Sequence, residues 1–210
     1  MAKESLSEET KQDEGRSGGT RVWSSFVLAA IIAVVALTLF VRPWSNHTGS
    51  KATNRGCGQF DGFISPGESI PSSCRFEMLG SGSIETIGTF RQGSPMVLNF
   101  WASWCPYCIK EMPGFQRVYQ SVGDRVRFLG LDLLAVQGET KGAAITLAGR
   151  TGVKYPLGYD EGGALYFQIA PRLLMPTTVF VRANGIVAYR QYGRIDESNL
   201  RRMIKQYLGV

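Results

Sequence analysis

The sequence predicts an α/β domain, a central mixed sheet flanked by helices, carried behind an N-terminal transmembrane helix. Three observations predict it. The continuous apolar run 96–102 leads straight into Trp104-Cys105-Pro106-Tyr107-Cys108 at the head of a helix-like segment. A second apolar run at 126–134 and two alternating runs around Asn184-Gly185 supply further strands, with helical spacing between and after them. The stretch 22–41 is twenty residues without a charge, about 30 Å as a helix and enough for a bilayer core.

From the amino end, residues 1–21 are polar, lack a hydrophobic period and read as a disordered cytoplasmic tail. The span 22–41 is flanked by Arg21 and Arg42, with Trp23 and Trp44 where interfacial aromatics sit. A cleaved signal peptide is the alternative, but its apolar region is shorter and no A-x-A site follows this one. Residues 42–56 read as a juxtamembrane linker. Lys3, Lys11, Arg16 and Arg21 before the span outnumber Arg42, Lys51 and Arg55 after it, which favours the tail inside and the bulk of the chain outside. The expected location is the cell membrane, single-pass, with the domain extracytoplasmic.

Residues 57–210 have the length of one compact domain. Strands are expected at 75–78 and 84–86, separated by the Gly80-Ser81-Gly82 turn. The run 96–102 fits a strand buried on both faces. From Pro106, Ile109, Met112, Phe115, Val118, Tyr119 and Val122 recur at helical spacing, interrupted by Pro113-Gly114, where a kink is expected. A strand at 126–134, a small-residue helix at 140–150 and a short helix at 160–168 follow. Runs 177–182 and 186–192 alternate about Asn184-Gly185, a strong hairpin signal. Leu200, Met203, Ile204, Tyr207 and Leu208 mark one face of a terminal helix, with Asp196 or Ser198 available as its N-cap.

Two cysteines two residues apart, where a strand gives way to a helix, are the signature of dithiol–disulfide exchange. Half of a zinc site is the rival reading, but zinc wants four ligands, or three and an open position. The lone histidine is His47, and the remaining cysteines, Cys57 and Cys74, lack a short paired spacing. No metal and no cofactor is expected. Cys57 and Cys74 form an even second pair, as a structural disulfide in an oxidising compartment would; two buried free thiols are the alternative. The chain carries a net charge of +6, of which +4 belongs to residues 57–210. Its basic residues are scattered without interleaved aromatics, which argues against a nucleic-acid partner.

The run from Asn99 to Pro113, N-F-W-A-S-W-C-P-Y-C-I-K-E-M-P, resembles the active-site segment of the thioredoxin superfamily. It is similar in particular to the membrane-anchored TlpA/ResA/CcmG-like branch, with its N-F-W-A-x-W-C-x-x-C-x-x-E-x-P pattern. Met175-Pro176-Thr177-Thr178-Val179-Phe180-Val181, followed by Asn184-Gly185, resembles that branch's second signature, a cis-proline before a strand and hairpin. The resemblance implies a thioredoxin-like fold with an additional strand and helix supplied by residues 138–159. It also implies a cis Pro176 whose loop faces the dithiol, so that the Met175 backbone pairs with an extended substrate segment.

Each matched residue then has an expected role. Cys105, at a helix N-terminus where amides and the dipole favour a thiolate, attacks; Cys108, one turn on, resolves the mixed disulfide. Pro106 suits the first helical turn. Trp104, Pro106, Tyr107, Met175, Pro176 and Thr177 form the expected substrate-binding surface, while Trp101 and Trp104 are also read as ordinary packing. Asn99 stands where thioredoxins keep a buried aspartate and cannot accept a proton. Glu111 matches the glutamate of the ResA-like branch and would take a proton from Cys108; the competing reading is a solvent-facing residue beside Lys110.

The resemblance therefore implies a thiol–disulfide oxidoreductase that reduces client protein disulfides, for cytochrome c maturation or a similar task. A membrane electron-transfer partner of the CcdA/DsbD type would recharge it. A disulfide-forming oxidase and a redox-inactive binding module are the alternatives, and the latter would be expected to have lost Cys105 or Cys108. A peroxiredoxin would not use this C-x-x-C, and a copper-delivery module would want a histidine beside its cysteines.

Overall fold

The computed structural model describes Cys57 and residues 63–210. The expected tail, anchor and linker lie outside the described residues. Among the described residues, no helix is long and apolar enough to cross a membrane.

Among the described residues, seven strands form one sheet in the order β2-β1-β5-β4-β3-β6-β7. They are β1 (Arg75–Met78), β2 (Ile84–Thr86), β3 (Met96–Trp101), β4 (Arg127–Asp132), β5 (Leu157–Tyr159), β6 (Thr177–Val181) and β7 (Val187–Tyr192). β3, β4 and β5 run parallel, and the outer pairings are antiparallel. Every residue of β3 is buried, as a strand covered on both faces requires. On one face Val97, Trp101 and Phe128 pack with Met112, Phe115 and Val118 of α2 (Pro106–Val122), Leu147 of α3 (Lys141–Thr151), and Leu200 and Ile204 of α5 (Glu197–Leu208). On the other, Leu98, Phe100 and Leu131 pack with Ile87 of α1 (Ile87–Arg91) and Tyr166 of α4 (Tyr166–Ile169).

The structure departs from the sequence reading in three places. Helix α2 continues through Pro113 without interruption; Pro113 is exposed, and a Cβ at Gly114 would lie 3.5 Å from the Glu197 amide nitrogen at the start of α5. The segment 160–168 is not one helix. Gly162 and Gly163 take positive φ, and the Asp160 carboxylate accepts from the Leu165 and Tyr166 amides, so a 3-10 turn precedes α4. Helix α1 is not among the expected elements: its five residues are too few to show a helical period, and they present only Ile87 and the half-buried Phe90 to the core; it starts from a reciprocal cap between Thr86 and Thr89. The additional strand and helix expected within residues 138–159 are present as β5, three residues long and too short to show a period, and α3 before it.

Two parallel strands carry the site. β3 and β4 pair in register from Met96↔Arg127 to Trp101↔Asp132, so both end on one edge, where the chain turns into Cys105. Gly130 sits opposite Asn99. A Cβ there would lie 2.6 Å from Leu157 and 3.2 Å from the Trp101 indole nitrogen, so the absent side chain makes room for Trp101.

Candidate active site

Cys105 and Cys108 are joined by a disulfide. Cys105 is the N-cap of α2: its φ of −92° and ψ of 104° are extended, and its Sγ accepts from the Cys108 amide at 3.2 Å. Pro106 occupies the first helical position, where an amide would have no intrahelical acceptor. Both cysteines are buried in the cluster formed by Trp101, Ala102 and Met112, against which the half-buried Met175 packs. Tyr107 and Trp104 are exposed beside them. Lys110 lies 5.8 Å from the Tyr107 ring centre. Trp101 is wholly buried and is a packing residue; Trp104 donates its indole N–H to the Val136 carbonyl at 3.3 Å.

Glu111 is buried, which removes the solvent-facing reading. Its Oε1 accepts from Asn99 Nδ2 at 2.8 Å, and its Oε2 from the Ile195 amide at 3.0 Å. Asn99 Nδ2 also donates to Thr178 Oγ1 at 3.1 Å. Burial pushes the Glu111 pKa up to about 8, against the pull of the Ile195 amide, the Asn99 amide and the Arg194 charge. The residue thus combines a near-neutral proton affinity with a place one helical turn beyond Cys108.

The Met175–Pro176 peptide is cis. Its loop meets the end of β3, because Thr177 pairs with Phe100, and the Pro176 carbonyl accepts from the Gly193 amide at 2.9 Å. Thr177 is buried and donates its hydroxyl to the Leu174 carbonyl at 2.5 Å. Tyr166 steadies the same loop: its hydroxyl accepts from the Leu174 amide at 2.7 Å and faces the Arg172 and Leu174 carbonyls. Nothing in the sequence marks Tyr166 for this.

Two more carboxyl groups lie at this end of the sheet. Asp132 is fully buried, and neither oxygen has a hydrogen-bond partner; burial first and Glu139 second push its pKa up to about 8. An acid inside the apolar run 126–134 was a signal present in the sequence. Glu139 is buried and accepts from the Ser103 amide, from Ser103 Oγ at 2.8 Å and from the Thr140 amide at 3.0 Å. No local pattern singles it out. Away from the site, Cys57 and Cys74 are disulfide-bonded. Among the described residues, no group of three or more His, Cys, Asp or Glu side chains could hold a metal.

A family model described as Redoxin matches residues 66–204. The chain is 31% identical over 97 residues to the thiol-disulfide oxidoreductase ResA of Oceanobacillus iheyensis, a match covering 45% of this chain and 47% of that protein. To the ResA of Halalkalibacterium halodurans it is 24% identical over 180 residues, covering 85% and 90%. The chain thus spans about half the length of the first of these relatives and nearly all of the second. Among solved structures, a secreted Mycobacterium tuberculosis disulfide oxidoreductase homologous to E. coli DsbE superposes with a TM-score of 0.54 at 24% identity, covering 63% of this chain and 94% of that one. That likeness shows a thioredoxin-like fold.

Proposed function

The chain belongs to the Redoxin family, and from that premise we propose that it is a membrane-tethered, extracytoplasmic thiol–disulfide oxidoreductase that reduces client protein disulfides. The carrying observation is the Cys105–Cys108 disulfide capping α2 with Glu111 buried behind it. In the reduced form, the Cys105 thiolate attacks one client sulfur; a mixed disulfide forms and the other client sulfur leaves as a thiolate. The ionised fraction of Glu111 accepts the Cys108 proton, and the resulting thiolate attacks Cys105. This closes the 105–108 disulfide and releases the second client thiol. Two electrons pass to the client, and a membrane dithiol partner of the CcdA/DsbD type returns them.

The Met175–Thr177 loop, together with the exposed Trp104 and Tyr107, offers backbone and aromatic surface to an extended client segment. The likeness to ResA proteins supports reduction in cytochrome c maturation or a related assembly task. Insulin reduction tests the activity: wild type should turn over and Cys105→Ser should not, and turnover unchanged in Cys105→Ser would overturn the reading. Equilibration with glutathione tests the direction. A potential nearer thioredoxin's, about −270 mV, fits a reductant, and one above about −150 mV fits an oxidase. Protease protection in intact cells tests the sidedness of residues 57–210.

A further inference from the structure

Three hydrogen bonds tie the approach to Cys105 to one turn. The Ser103 amide and hydroxyl both donate to the Glu139 carboxylate, and the Trp104 indole donates to the Val136 carbonyl. That turn is conformationally costly: Ala135 and Gln137 hold φ of 65° and 50° without being glycine. It is closed by Glu139 N–H to the Val136 carbonyl and Ala135 N–H to the Glu139 carbonyl, both at 3.1 Å. It ends where Thr140 caps α3, so a buried anion is delivered against the residue two before the nucleophile. With Ser103 bonded to Glu139 and two residues from Cys105, chain reach limits the separation of the Glu139 carboxylate and Cys105 Sγ to at most on the order of 10 Å.

We propose that Glu139 is a positioning residue for Cys105: its carboxylate clamps Ser103 and holds a fixed negative charge beside the nucleophile, opposing the thiolate and making the couple more reducing. This deepens the dithiol-exchange reading and rests on it. The charged groups around Glu139 are Asp132 at the end of β4, which has no hydrogen-bond partner, and Lys141 in α3, which is held by Glu77 of β1 at 2.6 Å. Tyr159 of β5 lies under the Lys141 ammonium. Lys141 is thus engaged elsewhere, and Asp132 is kept from sharing negative charge with Glu139. From α2 only Glu111 and the exposed Lys110 approach the dithiol, and Lys110 points to Tyr107.

Two unit charges roughly 10 Å apart at an effective dielectric near 20 shift a titration by roughly one pH unit. The test uses the full chain. In Glu139→Gln the Cys105 thiolate absorbance midpoint should fall by about one unit. Above that midpoint the glutathione equilibrium should move about tenfold toward the dithiol, while Glu139→Asp stays within about threefold of wild type. A Glu139→Gln protein that melts earlier with midpoint and equilibrium unchanged would overturn the proposal. Should that variant not fold, the wild-type Glu139 carboxyl carbon resonance must move across the pH range in which Cys105 titrates; a flat resonance overturns it equally. Absence of insulin turnover in the wild type would instead sink the activity reading, leaving the glutathione equilibrium still legible.

Discussion

Replacing Glu111 by glutamine should flatten the loss of stability that the oxidised protein undergoes as pH rises. In the fold this carboxyl titrates near pH 8, against 4.5 for the free side chain. The folded value is the higher one, so the native state holds the proton more tightly. The stability it contributes is whole below about pH 4, drains as pH climbs through 8 and then stops changing. At 1.36 kcal/mol per unit, the interval from pH 5 to 9 costs about 4 kcal/mol through this one group. Glutamine suits the same pocket. Its carbonyl accepts from the Ile195 amide, and its NH2 donates to Asn99 Oδ1, a buried acceptor with no partner in the wild type, once the Asn99 amide turns over. Denaturant unfolding of the disulfide form at pH 5, 7 and 9 should show wild type losing about 4 kcal/mol more than Glu111→Gln. Because Asp132 titrates in both proteins, the difference isolates position 111. Parallel curves would refute the reasoning.

Three further outcomes are expected. Cys108→Ser should accumulate a mixed disulfide between Cys105 and a disulfide-bearing peptide, seen as an added mass that dithiothreitol removes, whereas Cys105→Ser should form none. Asp132→Leu removes a buried acid whose two oxygens lack partners and should stabilise the protein by about 1–3 kcal/mol at pH 8; a lower melting temperature there would count against the burial argument. Tyr166→Phe strips the hydroxyl that accepts from the Leu174 amide. It should cost about 1–3 kcal/mol and raise KM for client reduction more than it lowers kcat, because it loosens the Pro176 loop without touching sulfur.

What the sequence disclosed followed the range of its signals. The buried strand at 96–101, the dithiol helix and the hairpin around Asn184-Gly185 declare themselves within a dozen residues each, through an unbroken apolar run, a cysteine spacing and a turn dipeptide. Strand β5 was reached only through a family pattern, since Leu157–Tyr159 has no room for a period. The chemistry divides the same way. Cys105 and Cys108 are legible from spacing, but the burial of Glu111 depends on Asn99 twelve positions before it and Ile195 eighty-four positions after it. Tyr166 acts within its own loop through Leu174 eight residues on, and Glu139 through Ser103 across 36 residues, neither of which a local pattern encodes.

The distribution of charge around the dithiol follows from where the sheet ends. Cys105 at the head of α2 receives the favourable end of the helix dipole and the Cys108 amide, a stabilisation of a thiolate worth about 0.3–2 kcal/mol. The ends of β3 and β4 and the middle of α2 bring Glu139, Asp132 and Glu111 to the same region. Of these, Asp132 and Glu111 hold their protons up to about pH 8, so near neutrality they add little negative charge. Raising pH past 8 ionises both, and each new anion disfavours the Cys105 thiolate further. The dithiol's titration should therefore be broader than that of a lone thiol and displaced upward at its alkaline end. Replacing Glu111 and Asp132 with neutral residues should restore a one-proton curve for Cys105 in ultraviolet titration, and a curve left just as broad would show that neither carboxyl is coupled to the sulfur.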